Sequence, residues 1–119
     1  MRNRVDPASL RAAWWAYQAL HRTRRELRTG PVRSVAVSPP PRLPARAGRG
    51  VKAVLRRTDP TCLERALVLQ AWEQAHGGGR DVIIGVRGSG DELAAHAWLE
   101  GDRDGDVWSF EELLRVPGR

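Results

Sequence analysis

The sequence predicts an α+β domain in which a buried helix packs on a small antiparallel sheet. Three observations lead there. Asp6-Pro7 and Asp59-Pro60-Thr61 are strong helix starts. Gly77, Gly78 and Gly79 form a clear stop after the second helix. Beyond that stop come short segments of strand character, separated by Gly and Asp turns. Helices first and strands afterwards is the order of an α+β fold.

The first start opens a helix expected to reach about Arg28 before Gly30 and Pro31 end it. Its expected core stripe is Leu10, Ala13, Trp14, Tyr17, Leu20 and Leu27, with Arg11, Gln18, Arg22 and Arg25 on the other face. That basic face reads either as a solvated surface or as a docking surface for an acidic peptide or partner. From Pro31 to Gly50, Pro39, Pro40, Pro41 and Pro44 exclude a helix or central strand, so this stretch reads as an extended connector wrapping the surface. A short helix is expected at Val51 to Arg57. The second start places Cys62 in the first turn of the next helix. There Leu63, Ala66, Leu67, Val68, Leu69, Ala71 and Trp72 cover so much of the circumference that the helix should be central.

Asp81 to Arg87, with Val82, Ile83, Ile84 and Val86, reads as a buried strand. Leu93 to Glu100 is also strand-like. Gly101 to Gly105, with its Asp104-Gly105 pair, signals a hairpin before Val107, Trp108 and Phe110. The chain therefore divides into a basic amphipathic helix (1–30), a proline-rich connector (31–50) and a core of helices and strands (51–119), all in one compact domain.

Composition narrows the function. Hydrophobic residues at 41% and charged residues at 29% exclude a disordered or fibrous chain. No long apolar run or secretory pattern is present, so no membrane partner and a cytoplasmic location are expected. A single cysteine excludes an internal disulfide and a thiolate-rich metal site. The net charge of +6 allows nucleic acid, a membrane surface or an acidic polypeptide as partner. A nucleic-acid-binding protein is the alternative of a different class. It lacks zinc-ligand spacing and an RNA-stacking motif, and its aromatic residues are expected in the core rather than among the arginines.

By composition alone Cys62 reads as an inert core thiol. Its place at a helix start argues otherwise, because the helix dipole and free backbone N–H groups there favour a thiolate and can hold an oxyanion. A cysteine nucleophile also needs a base, and histidine suits. His21 lies on the basic N-terminal helix and His76 at the far end of the cysteine helix, which leaves His96. Ala95 and Ala97 beside it would let another element approach the imidazole. The bland alternative is a satisfied core histidine. Trp98 would either shield the site or fill the core.

The stretches Cys62-Leu63-Glu64-Arg65-Ala66-Leu67, Ile84-Gly85-Val86 and Ala95-His96-Ala97-Trp98-Leu99-Glu100 resemble the leader peptidase of lasso peptide biosynthesis. An N-terminal helix and a connector with Arg42-Leu43-Pro44 fit the same layout. The resemblance implies a transglutaminase-like, papain-like fold and a Cys-His-Asp triad. Its implied task is to remove the leader from a ribosomally made precursor. The precursor leader, a separate leader-recognition protein and an ATP-dependent cyclase are the implied partners, with no cofactor and no nucleic acid. The chain looks like the stand-alone peptidase of a split pair. Cys62 corresponds to the nucleophile and His96 to the base.

The family's aspartate has no counterpart in the middle of the strand expected at Val107, Trp108, Ser109 and Phe110. A hairpin turning around Asp102 to Gly105 would put Glu111 across the ladder from His96, making Glu111 the first candidate. Asp106 is the alternative, while Asp102 and Asp104 read as turn residues. A Cys-His dyad without a carboxylate and a transglutaminase-like acyl transferase are the remaining possibilities.

Overall fold

The computed structural model describes residues 6–102 and 109–118. Helix α1 runs over Pro7–Thr29, capped by Asp6, whose carboxylate accepts from the Ser9 N–H at 2.7 Å. The connector follows in extended form with two short 3-10 turns, and α2 (Gly48–Thr58) begins three residues before the expected helix. Helix α3 (Cys62–Gln74) starts with Cys62 as its first helical residue. Strands β1 (Val82–Arg87), β2 (Ala94–Leu99) and β3 (Glu111–Val116) complete the α+β fold.

Helix α3 is the middle layer. On one side Val68, Ala71 and Trp72 pack with Ala12, Trp15, Ala16 and Leu20 of α1 and Val51 and Leu55 of α2. On the other, Ala66 and Leu67 pack with Val82, Ala97 and Leu99 of the sheet and Val35 of the connector. A helix with apolar contacts on both sides needs an apolar surface nearly all round, which is why its sequence shows no single stripe. The connector is held across this core by the Trp15 indole donating to the Ser38 carbonyl at 3.1 Å. Both ring nitrogens of His76 lie within 2.9 Å of carbonyl oxygens, those of Trp72 and Leu43, which ties the connector to the end of α3.

The core stripe of α1 differs from the expected one. Ala12, Trp15, Ala16, Ala19, Leu20 and Thr23 are buried, whereas Leu10, Trp14 and Tyr17 are exposed. The cause is the close approach of α2. Gly50 lies so near α1 that a methyl group there would run into the Ser9 carbonyl oxygen. Only the alanine-rich face of α1 fits against so near a neighbour, so Ala12, Ala16 and Ala19 are buried there, flanked by Trp15 and Leu20, while Leu10, Trp14 and Tyr17 on the opposite face stay outside.

The sheet order also differs from a simple hairpin series. It is β2-β1-β3, with β1 central and antiparallel to both neighbours. The chain does turn after β2, where the Asp102 N–H donates to the Leu99 carbonyl and Gly101 takes a φ of 94°. It then returns on the far side of β1. The central place suits Val82 and Ile83, which are buried in β1 on opposite faces. Specific bonds fix β3 there: the Gln70 amide donates to the Val116 carbonyl at 3.0 Å, the Gly118 N–H donates to Asp81, and Arg115 pairs with Asp81 and Glu100. Ser109 and Phe110 precede β3 rather than forming its body. Val107, Trp108, Asp104 and Gly105, expected in the hairpin and third strand, lie outside the described residues.

Candidate active site

Three residues separate α2 from α3, and they set the position of Cys62. Asp59 closes α2 in the left-handed region at φ 50°, a conformation that aspartate tolerates better than most side chains. Pro60 leads into Thr61, whose hydroxyl accepts from the Glu64 N–H at 3.2 Å while the Glu64 carboxylate accepts from the Thr61 N–H at 3.0 Å. This reciprocal cap uses the third amide of the helix. Among the described residues the Cys62 and Leu63 N–H groups have no acceptor. Two free amides and the positive end of the helix dipole therefore flank a partly exposed thiol. Such an arrangement can hold the oxyanion formed when the sulfur attacks a carbonyl.

Glu64 also reaches α1. Arg24 Nε and Nη2 each donate to its carboxylate at 3.1 Å, a two-pronged ion pair in which Glu64 is 7% exposed. Burial works against the charged form of Glu64. The Arg24 guanidinium and the Thr61 N–H outweigh it and hold the carboxyl below the usual carboxylate range. Arg24 is thus a positioning residue two steps removed from the thiol. The Thr61-x-x-Glu64 spacing is the sequence signature of the capping box, whereas the Arg24 contact, forty residues away along the chain, leaves no local signal.

His96 sits elsewhere. Successive residues of a strand point to opposite faces. Ala97 and Leu99 belong to the core shared with α3, so His96 and Trp98 project from the other face. Their rings stack there with centroids 5.6 Å apart, and Phe110 lies 5.5 Å from the imidazole. Gly85, the ladder partner of His96, leaves room for this cluster, since a side chain there would meet Trp98 and Phe110. The guanidinium of Arg87 lies 4.5 Å above the Phe110 ring. No hydrogen bond joins His96 to Cys62 among the described residues, and the sheet stands between them.

Glu111 does not face His96 across a ladder, because β3 pairs with β1 and Glu111 lies opposite Val86. It is exposed and has no ion pair among the described residues. Asp106 lies outside the described residues. Asp102 is paired with Arg80. His21 is on the exposed face of α1, stacked edge-on against Tyr17. No cluster of three or more His, Cys, Asp or Glu side chains suited to a metal ion occurs among the described residues. A cavity of about 640 Å³ lies between the connector, α3 and the end of β3, but none of Cys62, His96 or Glu111 lines it. No described helix is long and apolar enough to cross a membrane.

Comparison with known families matches residues 7–112 to the transglutaminase-like superfamily. No curated protein and no solved structure gave a significant match. The family match begins with α1 and ends in β3, and the superfamily's general chemistry is that of cysteine peptidases and acyltransferases. That chemistry needs an activated thiol, and the chain has one cysteine, placed at the head of its central helix. The chain belongs to the transglutaminase-like superfamily.

Proposed function

We propose that this chain is a cysteine peptidase that removes the leader from a ribosomally made lasso peptide precursor, with Cys62 as nucleophile. The observation that carries the reading is the capped start of α3, where the thiol stands beside the unpaired Cys62 and Leu63 amides. The Cys62 thiol gives its proton to an imidazole as the sulfur attacks the scissile carbonyl carbon, and the two amides receive the developing oxyanion. Collapse of the tetrahedral adduct breaks the C–N bond as the amine takes a proton from an imidazolium, leaving a thioester. Water, losing its proton to the imidazole, then attacks the thioester and releases the acid and the thiol.

His96 supplies the imidazole in this proposal, and the described arrangement makes that role conditional on a movement. Because strand side chains alternate, a shift of edge strand β2 by one residue would turn His96 and Trp98 toward α3 in place of Ala97 and Leu99. Binding of substrate or of a separate leader-recognition protein supplies the occasion for it. The enzyme works in the cytoplasm, upstream of an ATP-dependent cyclase.

The test incubates wild type, Cys62→Ala and His96→Ala with precursor and recognition protein, and weighs the products. Hydrolysis adds water to the fragments, whereas acyl transfer adds an amine. The expected result is hydrolysis lost in both variants. Retained activity in His96→Ala would remove His96 and the strand shift from the mechanism while leaving Cys62 standing. An amine adduct would replace the peptidase with an acyltransferase.

A further inference from the structure

Helix α1 leaves a large apolar surface uncovered. Leu10, Trp14 and Tyr17 are 56%, 62% and 43% exposed, on the side of α1 away from the alanine stripe that meets α2. The Trp14 and Tyr17 rings lie nearly parallel with centroids 6.0 Å apart, and Tyr17 packs against His21. Spacings of three and four residues put all four side chains on one face. Beside them is a groove of about 450 Å³ lined by Leu10, Arg11, Trp14, Trp15, Gln18 and Pro41. A contiguous aromatic surface of this kind marks an interaction site.

Charge identifies the occupant. Arg11 borders the groove, and Arg25 and Arg28 continue the same exposed face toward the end of the helix. None of the three has an ion pair among the described residues. The only acidic residue of α1, Glu26, is half-buried and accepts from the Ala36 N–H. The face thus runs from an apolar first half to a purely cationic second half. A second copy laid parallel would bring arginines against arginines, and laid antiparallel would set them against the apolar half, so neither arrangement pairs Arg25 and Arg28 with carboxylates. Single-stranded nucleic acid stacks successive bases on open rings, but the facing sides of Trp14 and Tyr17 are already taken by each other.

We infer that this face of α1 docks an acidic amphipathic helix of a partner protein. Apolar anchors of that helix fill the groove at Leu10, Trp14 and Pro41, and its carboxylates meet Arg25 and Arg28. The straight row of contacts at helical spacing suits a helix laid alongside α1. This surface is independent of Cys62 and stands or falls apart from the peptidase reading.

The experiment titrates the full chain with fluorescein-labelled helical peptides of about 20 residues. Each carries Leu, Phe or Trp anchors at helical spacing with glutamates beside them, and a second set has lysine in place of glutamate. A poly-dT oligonucleotide and sedimentation of the chain alone complete the arms. The glutamate peptides are expected to bind, weakening as salt is raised, while the lysine peptides do not. Trp14→Ala and Leu10→Ala should each weaken binding about tenfold with unchanged circular dichroism, since both side chains are exposed. Arg25→Glu with Arg28→Glu should abolish the preference for glutamate peptides. The inference is overturned if neither peptide set binds, if both bind equally, or if Trp14→Ala has no effect. It is also overturned if the oligonucleotide binds in preference through Trp14, or if the chain forms a dimer that Trp14→Ala dissolves.

Discussion

Replacing Glu64 by glutamine changes one charge at the point where α1, Thr61 and the helix that begins at Cys62 meet. Three hydrogen bonds converge on the carboxylate, two from Arg24 and one from the Thr61 N–H. Hydrogen bonds involving a charged group contribute about 1.5–3 kcal/mol each and neutral ones about 0.5–1.5. Glutamine retains one oxygen for the Thr61 N–H and Arg24 Nη2 but turns an NH2 group toward Arg24 Nε. Arg24 is 35% exposed, so water replaces part of what it loses. The expected net loss for Glu64→Gln is about 2 kcal/mol, or roughly 8 °C in Tm for a chain of this size.

Urea unfolding followed by tryptophan fluorescence measures that loss, and pH supplies the control. The folded state holds the Glu64 carboxyl below its ordinary value of 4.5. Its stabilisation is therefore fully present above that value and disappears as pH falls through the lower, folded-state value. The gap between wild type and Glu64→Gln should be widest near neutrality and narrow in acid. A difference below about 0.5 kcal/mol at neutral pH, or one that stays constant on acidification, would show that the Glu64 charge does not hold this joint together.

Further outcomes follow from the packing. Gly50→Ala should destabilise by about 1–2 kcal/mol, because the methyl group's clash with the Ser9 carbonyl outweighs the gain of roughly 1 kcal/mol in helix propensity; urea unfolding reads the sign. Leu55→Ala, at a site 1% exposed, should lose about 3 kcal/mol in the same assay. Thr61→Ala removes the side-chain half of the cap and should cost about 1 kcal/mol. If the capped first turn positions the thiol, Thr61→Ala should also slow alkylation of Cys62 by a peptidyl electrophile, measured as a second-order rate.

Helix starts and stops were readable because they depend on local chemistry. Asp6 and Thr61 cap where a side-chain oxygen can reach a free amide, and the turn after α3 closes with the Gly78 N–H donating to the Glu73 carbonyl. The β1 strand was readable from its β-branched run. The face of α1 was not, because ranking apolar residues by size favours Trp14 and Tyr17, while the side that α2 approaches so closely carries Ala12, Ala16 and Ala19 beside Trp15 and Leu20. Strand order was hidden for a related reason. A turn after β2 is visible in sequence, but the bonds that draw β3 to β1 come from Gln70, Asp81 and Arg115, which are distant along the chain. The orientation of His96 followed from that uncertainty. Alternation sorts His96 and Trp98 from Ala97 and Leu99 without saying which pair faces the core, and Ala97 rather than the imidazole meets the α3 layer.

In the proposed reaction Cys62 carries the acyl group. The most direct test is the intact mass of the protein, quenched in acid during turnover of the precursor with the recognition protein present. A transient added mass equal to the acyl fragment, mapped to Cys62 by digestion and absent from Cys62→Ala, is the predicted result. Turnover of the precursor by Cys62→Ala, or an acyl group mapped to any other residue, would contradict it.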